Sequence, residues 1–191
     1  DLVLFCVKST DTAAAAAQME PHLAPGALVL SLQNGVDNPP RIVSATRATV
    51  VPTVVYVATA MPEPGVVKHF GRGDLVIGPL NAADAANAAL QARLQAVVQL
   101  FGSAGVPVKV SADVMVELWS KLMVNCAYNA ISGLAQLPYG RMAALPEVRE
   151  VMRATVHEVV AVAQAEGVKL PLQASLDAMD KFNQRAIDLL T

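Results

Sequence analysis

The chain opens on Asp1-Leu-Val-Leu-Phe-Cys-Val7, an apolar run that stops at Lys8. Such a run without polar alternation suits a strand buried on both faces of a parallel sheet, with a neighbour on either side. Residues 11–22, with alanines at 13–17, have the composition of a helix. Pro25-Gly26 then turns the chain into a second apolar strand, Ala27 to Leu32, which ends at Gln33-Asn34-Gly35. Strand, helix and strand in so short a span make one βαβ unit. Units of this kind bind ligands beyond the carboxyl ends of their strands.

The same alternation continues to about residue 112. A Val-rich strand is expected from Thr49 to Val57, within a largely apolar stretch, Val50 to Met61, that suggests a buried strand. Two short strands, Val66 to Phe70 and Leu75 to Ile77, are expected next, with Gly71-Arg72-Gly73 as their hairpin loop. A helix over 82–103 and a strand over Val106 to Val110 complete this part. From Ser111 onward no strand signal remains. Ser111 and Asp113 offer caps for a helix starting near 113, Pro146 starts a helix that runs to Gly167, and Pro171 begins a last one that reaches the end. The fold class is therefore α/β, a partial Rossmann-like and mostly parallel sheet followed by an all-helical domain.

Composition removes several function classes. Of the 191 residues, 54% are hydrophobic and 16% charged, and the net charge is -2, which excludes a disordered chain and gives no general pull on nucleic acid. Mean hydropathy is +0.43, yet the longest charge-free stretch, Leu122 to Gly140, is broken by Asn125, Asn129, Ser132, Gly133, Gln136 and Pro138, so no membrane span is expected. Cys6 and Cys126 lie in apolar sequence and belong to no metal-spaced pair, so both are expected to be buried core residues, and a cytoplasmic location fits. No metal site is expected, because His22, His69 and His157 lack ligand-spaced partners. The chain has no Gly-x-Ser-x-Gly elbow and no Gly-x-Gly-x-x-Gly turn.

The most informative segment is Glu117-Leu-Trp-Ser-Lys121-Leu-Met-Val-Asn125-Cys-Ala-Tyr-Asn129. Lys121, Asn125 and Asn129 recur every fourth residue and form one stripe on a helix whose other positions are mostly apolar. One cation beside two amides suits a small oxygen-rich substrate, and the lysine could give a proton to an oxygen that gains negative charge. The same spacing also fits a lysine lying along an apolar face with two asparagines bonded to a neighbouring helix. A second candidate site is formed by strand ends, Lys8 after the first and Gln33-Asn34-Gly35 after the second. Asn34-Gly35 also reads as an ordinary turn pair.

Leu4-Phe-Cys-Val-Lys8, Ser31-Leu-Gln-Asn34-Gly35, Gly65-Val-Val-Lys-His69, Ile77-Gly78 and the Glu117 to Asn129 segment together resemble ketopantoate reductase (2-dehydropantoate 2-reductase), in the family's order over nearly the whole chain. The resemblance implies NADPH-dependent reduction of 2-dehydropantoate to (R)-pantoate, a step toward pantothenate and coenzyme A. It implies that Lys121 is the general acid and a substrate ligand, that Asn125 and Asn129 bind substrate, and that Lys8 and Asn34 approach the nicotinamide end of the cofactor. It further implies a partial NADP-binding domain over 1–112 and a truncated helical substrate domain over 113–191.

Three features depart from the family pattern. The opening strand with its glycine-rich phosphate loop is absent from the sequence. The distal serine and glutamate would lie beyond Thr191, so an extension at both ends is expected. Pro138 is followed by Tyr139 where many members have asparagine. The partner expected is a small 2-keto acid, and a homodimer through the apolar helical domain is one outcome consistent with the pattern. Two other readings stay open: a reductase of a different 2-keto acid, and a non-catalytic binding or assembly module that lost the phosphate loop.

Overall fold

The computed structural model of the chain describes residues 1–188, which belong to two compact units, residues 1–118 and residues 119 onward. The division lies between Leu118 and Trp119, inside one long helix, whereas the change in sequence character lies at 112.

The first unit is built on a five-stranded sheet ordered β1-β2-β3-β4-β5. β1 (Leu2–Phe5), β2 (Leu28–Ser31) and β3 (Thr49–Glu63) run parallel, β4 (Val66–Ile77) is antiparallel to β3, and β5 (Val108–Val110) is parallel to β4. α1 (Thr12–Met19) links β1 to β2, α2 (Asn38–Ala45) links β2 to β3, and α3 (Ala82–Ala86) with α4 (Ala88–Ser103) leads to β5. Successive side chains on a strand face opposite ways, so Leu28 and Leu30 of β2 pack with Leu90, Leu94 and Val97 of α4. Val29 between them packs with Ala16 of α1 and Ile42 of α2. Helices thus cover both faces of the sheet, the arrangement that continuous apolar strands require. Each leucine or isoleucine fully buried in these layers stabilises the fold by roughly 1.5–3 kcal/mol.

Several elements differ from the sequence reading. The Asp1 to Val7 run is expected to have neighbours on both sides, but among the described residues β1 pairs only with β2, and Leu4 is 50% exposed. α2 is absent from the reading because eight residues with two prolines show no apolar period. The prolines sit in its first turn, where the missing N–H groups would have no partner. The helix expected over 82–103 is broken at Asn87, whose side chain accepts from the Leu90 N–H at 3.1 Å and caps α4.

The two short strands expected over 66–77 are one strand, β4, and the hairpin turn lies at Pro64-Gly65 instead. Gly71, Arg72 and Gly73 have φ of 135°, 60° and 136°, and the β3–β4 register shifts beside them, so the glycines mark bulges within a strand. The distortion turns Arg72 onto the Tyr56 ring, 4.2 Å from its centroid, where it is held by two bonds to Asp74 at 2.9 and 2.7 Å. The stretch expected to be buried from Val50 to Met61 is buried only to Val54, and residues 57–70 are exposed throughout. Just past β4, Gly78 lies so close to the next layer that a Cβ there would stand 2.7 Å from the Ser111 carbonyl oxygen and 2.8 Å from Val114 Cβ.

The second unit contains most of α5 (Val114–Ala135) with α6 (Tyr139–Ala143), α7 (Pro146–Ala165) and α8 (Leu172–Asp188). Helix starts near 113, at Pro146 and after Pro171 match the expected ones; the expectation that the last helix reaches Thr191 falls outside the described residues. Met152, Val156, Val160 and Ala163 form the buried stripe of α7, spaced by three or four residues. They share the unit with buried Met123, Ala127 and Tyr128 of α5, Met142 of α6 and Met179 of α8. Both cysteines are exposed, contrary to expectation. Cys6 lies beyond the last residue of β1, and Cys126 turns away from the line of Met123 and Ala127 that α5 buries. Apolar neighbours in sequence are not neighbours in space. Among the described residues no helix is long and apolar enough to cross a membrane.

Candidate active site

Lys8 and Asn34 stand at the carboxyl ends of the adjacent parallel strands β1 and β2, and both are exposed. The loops that carry them are fixed from below by a chain of side-chain hydrogen bonds. Gln33 Nε2 donates to the Val7 carbonyl at 2.9 Å and to Thr12 Oγ1 at 2.8 Å. The Thr12 hydroxyl donates to Asn38 Oδ1 at 3.0 Å. Asn38 Nδ2 then donates to the Asn34 carbonyl at 2.7 Å and to Ser9 Oγ at 3.2 Å. Thr12 and Asn38 are fully buried and Gln33 is 7% exposed, so these amides and this hydroxyl rely on one another. The backbone next to Lys8 is thereby tied to the backbone of Asn34, which places two exposed polar side chains on one rigid ledge.

Sequence reasoning did not identify Thr12 or Asn38, because the side chains they bond to lie between 21 and 29 residues away. The one local signal is a polar residue at the first position of each connecting helix, Thr12 of α1 and Asn38 of α2. Removing a buried partner leaves the others desolvated and unpaired. Asn38→Ala is therefore expected to lower the unfolding free energy by about 1–3 kcal/mol in urea titration, while Lys8→Ala stays within about 0.5 kcal/mol. Equal small effects would show that the network does not hold the ledge.

In the second unit Lys121, Asn125 and Asn129 form one line along α5, each turning about 40° from the last. Lys121 and Asn125 are half-buried and Asn129 is exposed. Burial draws the Lys121 ammonium below the ordinary lysine value of 10.5, because leaving water disfavours its charged form. A lysine so shifted gives up its proton more readily than a solvated one.

The far end of the line is met by Tyr139, whose hydroxyl donates to Asn129 Oδ1 at 2.7 Å. α5 ends at a turn in which Gln136 has φ of 52° and Ser132 Oγ donates to the Leu137 carbonyl at 2.7 Å. This turn returns the chain so that Tyr139 opens α6 beside the helix just left. The Tyr139 ring lies 4.7 Å from that of Tyr128, which lies 4.9 Å from Phe182 of α8. The buried Tyr128 hydroxyl donates to Asn183 Oδ1, and burial pushes this phenol up to about 12. The structure thus gathers Lys8 with Asn34 in one unit, and Lys121 with Asn125 and Asn129 in the other. Among the described residues no three His, Cys, Asp or Glu side chains are grouped to hold a metal ion.

Known proteins with this pattern are consistent with one another. The family model described as Ketopantoate reductase PanE/ApbA matches residues 1–82, and that of the Ketopantoate reductase PanE/ApbA C terminal matches residues 113–188. The 2-dehydropantoate 2-reductase of Halobacterium salinarum is 37% identical over 171 residues, which are 89% of this chain and 54% of that protein. The 2-dehydropantoate 2-reductase of Vibrio cholerae is 31% identical over 180 residues, 94% of this chain and 58% of that one. A crystal structure of a PanE/ApbA family ketopantoate reductase from Ralstonia eutropha shares 49% identity at a TM-score of 0.77, covering 95% of this chain and 58% of its own. The chain spans a little over half the length of these relatives. Since the amino-terminal and carboxyl-terminal patterns are both matched in order, and the line from Lys121 to Asn129 falls within the second, the chain belongs to the ketopantoate reductase family.

Proposed function

We propose that this chain takes part in the NADPH-dependent reduction of 2-dehydropantoate to (R)-pantoate, and that Lys121 is its general acid. The observation that carries the reading is the half-buried Lys121 in line with Asn125 and Asn129 on α5, with its ammonium drawn below the ordinary lysine range by burial. Reduction of a ketone needs a hydride at carbon and a proton at oxygen. Reduced nicotinamide, when bound, supplies the hydride. Lys121 donates its proton to the ketone oxygen as negative charge develops there, and in its charged form it favours that oxygen electrostatically. Asn125 and Asn129 hold the remaining polar groups of the substrate and so set the orientation of its carbonyl.

The residues present suit one end of a dinucleotide. Lys8 and Asn34 are exposed donors at the carboxyl ends of adjacent parallel strands, where open α/β sheets receive nucleotides, and the Gln33–Thr12–Asn38 network holds that ledge in place. They would meet the nicotinamide half. No Gly-x-Gly-x-x-Gly turn occurs in these 191 residues, so the pyrophosphate half is not assigned to them.

The test is NADPH oxidation on adding 2-dehydropantoate to the full polypeptide encoded by the reading frame, beside a panel of other 2-keto acids and beside NADH. Preferred turnover of 2-dehydropantoate with NADPH is expected. Turnover confined to another keto acid would discard this substrate and keep the reaction. A polypeptide that neither binds NADPH nor reduces any member of the panel would make it a non-catalytic module.

A further inference from the structure

We infer that Tyr139 is a positioning residue, which fixes the Asn129 amide so that its Nδ2 faces outward and offers a donor to an acceptor oxygen of the bound substrate. The inference rests on the reading of the α5 line as a substrate site.

An asparagine amide has one accepting end and one donating end, and an exposed amide turns between the two orientations at little cost. At Asn129 the Tyr139 hydroxyl donates to Oδ1 at 2.7 Å, and because a phenol is a better donor than acceptor it favours this choice over the flipped amide. With Oδ1 engaged, the group left to a ligand is the NH2. The phenol can make that choice because its own position is fixed. Its ring lies against Tyr128 at 4.7 Å with the planes inclined by 55°, and Tyr128 is fully buried, packed on Phe182 and bonded to Asn183. The backbone before it is held by the bond from Ser132 to the Leu137 carbonyl, and Met142 N donates to the Pro138 carbonyl at 3.3 Å across the first turn of α6.

The consequence for the ligand is chemical. Lys121 at one end of the line is a donor when protonated, and Asn129 at the other end is held as a donor. A molecule matched to both ends presents accepting oxygen at both, as a 2-keto acid does through its carbonyl and its carboxylate or hydroxyl oxygens. A ligand that must donate to Asn129 meets an amide turned the wrong way.

Tyr139→Phe keeps the ring and its packing on Tyr128 but removes the donor. In the full polypeptide it is expected to raise KM for the keto acid about threefold to tenfold, the worth of one neutral hydrogen bond. kcat is expected to move by less than about twofold, with KM for NADPH and the melting temperature unmoved. In an Asn129→Ala background the same change is expected to have no further effect on KM, because the residue through which Tyr139 acts is gone. If the parent reduces a keto acid and Tyr139→Phe leaves its KM unchanged, the positioning role is wrong while the reading of the α5 line stands. If the rise in KM persists in the Asn129→Ala background, Tyr139 acts by packing and the inference is equally wrong. A parent that reduces no 2-keto acid removes the reading of the line, and this inference with it.

Discussion

Replacing Lys121 by alanine is expected to lower kcat for keto acid reduction by about 10²–10⁴-fold, the usual contribution of a positioned proton donor. Two features of the residue underlie the size. It sits half-buried at the head of a line of amides, so water is a poor substitute for the proton that the proposed mechanism assigns to it. Its ammonium is destabilised by burial, which raises its acidity toward the range where proton transfer to a developing alkoxide is favourable. The direction of the pH dependence follows. The acid acts only while protonated and its pKa is lowered, so kcat is expected to fall with rising pH, through a midpoint below the 10.5 of an ordinary lysine. Lys121→Arg keeps the charge yet holds its proton too tightly, so it is expected to retain substrate binding and remain slow. A kcat for Lys121→Ala within a factor of a few of the parent, with the same pH profile, would assign the proton to another group.

The largest effect on stability is expected at Gly78. Alanine there would set its Cβ 2.7 Å from the Ser111 carbonyl oxygen and 2.8 Å from Val114 Cβ. Neither neighbour is the loose end of a flexible side chain. The Ser111 N–H is bonded to the Ile77 carbonyl at 2.8 Å, and Val114 is fully buried with Val54, Val76 and Leu118. Relief therefore requires the last turn of β4 and the first turn of α5 to separate, at a cost of roughly 1–3 kcal/mol or somewhat more. Gly102 is the informative contrast, since a Cβ there meets nothing within 4 Å and the residue lies in α4. Gly102→Ala is expected to be neutral or to stabilise by up to about 1 kcal/mol, because alanine is the better helix former. Urea midpoints of the two variants measure the difference. Similar midpoints would show that the β4–α5 approach is looser than these distances.

What the sequence made legible depended on how local the physics was. The β1–α1–β2 unit was readable because its apolar runs and Ala-rich link are each set by near neighbours. The starts of α7 and α8 were readable because proline marks a first turn. Lys121, Asn125 and Asn129 could be placed on one face by helix geometry alone, and Lys8 and Asn34 by the rule for strand ends. The glycine and cysteine misreadings share one cause, since in each a residue type with two local meanings took the one that tertiary contacts select. Gly71 and Gly73 read as a loop but form bulges, because β3 supplies a partner along the whole of β4. Cys6 and Cys126 read as core but face outward, because burial was decided by Phe5 and by Met123 and Ala127. The bonds that matter most to the candidate site, Gln33 to Thr12, Thr12 to Asn38 and Tyr139 to Asn129, join residues whose meeting depends on loop geometry, so no periodicity could have shown them.

The exposure of both cysteines makes this chain its own molecular ruler. Cys6 belongs to the unit that carries Lys8 and Asn34, Cys126 follows Asn125 on α5 in the other unit, and the sequence holds no third thiol. A pair of thiol-reactive dyes can therefore be attached without adding or deleting a residue. Energy transfer between them would report how far apart the two units stand in solution.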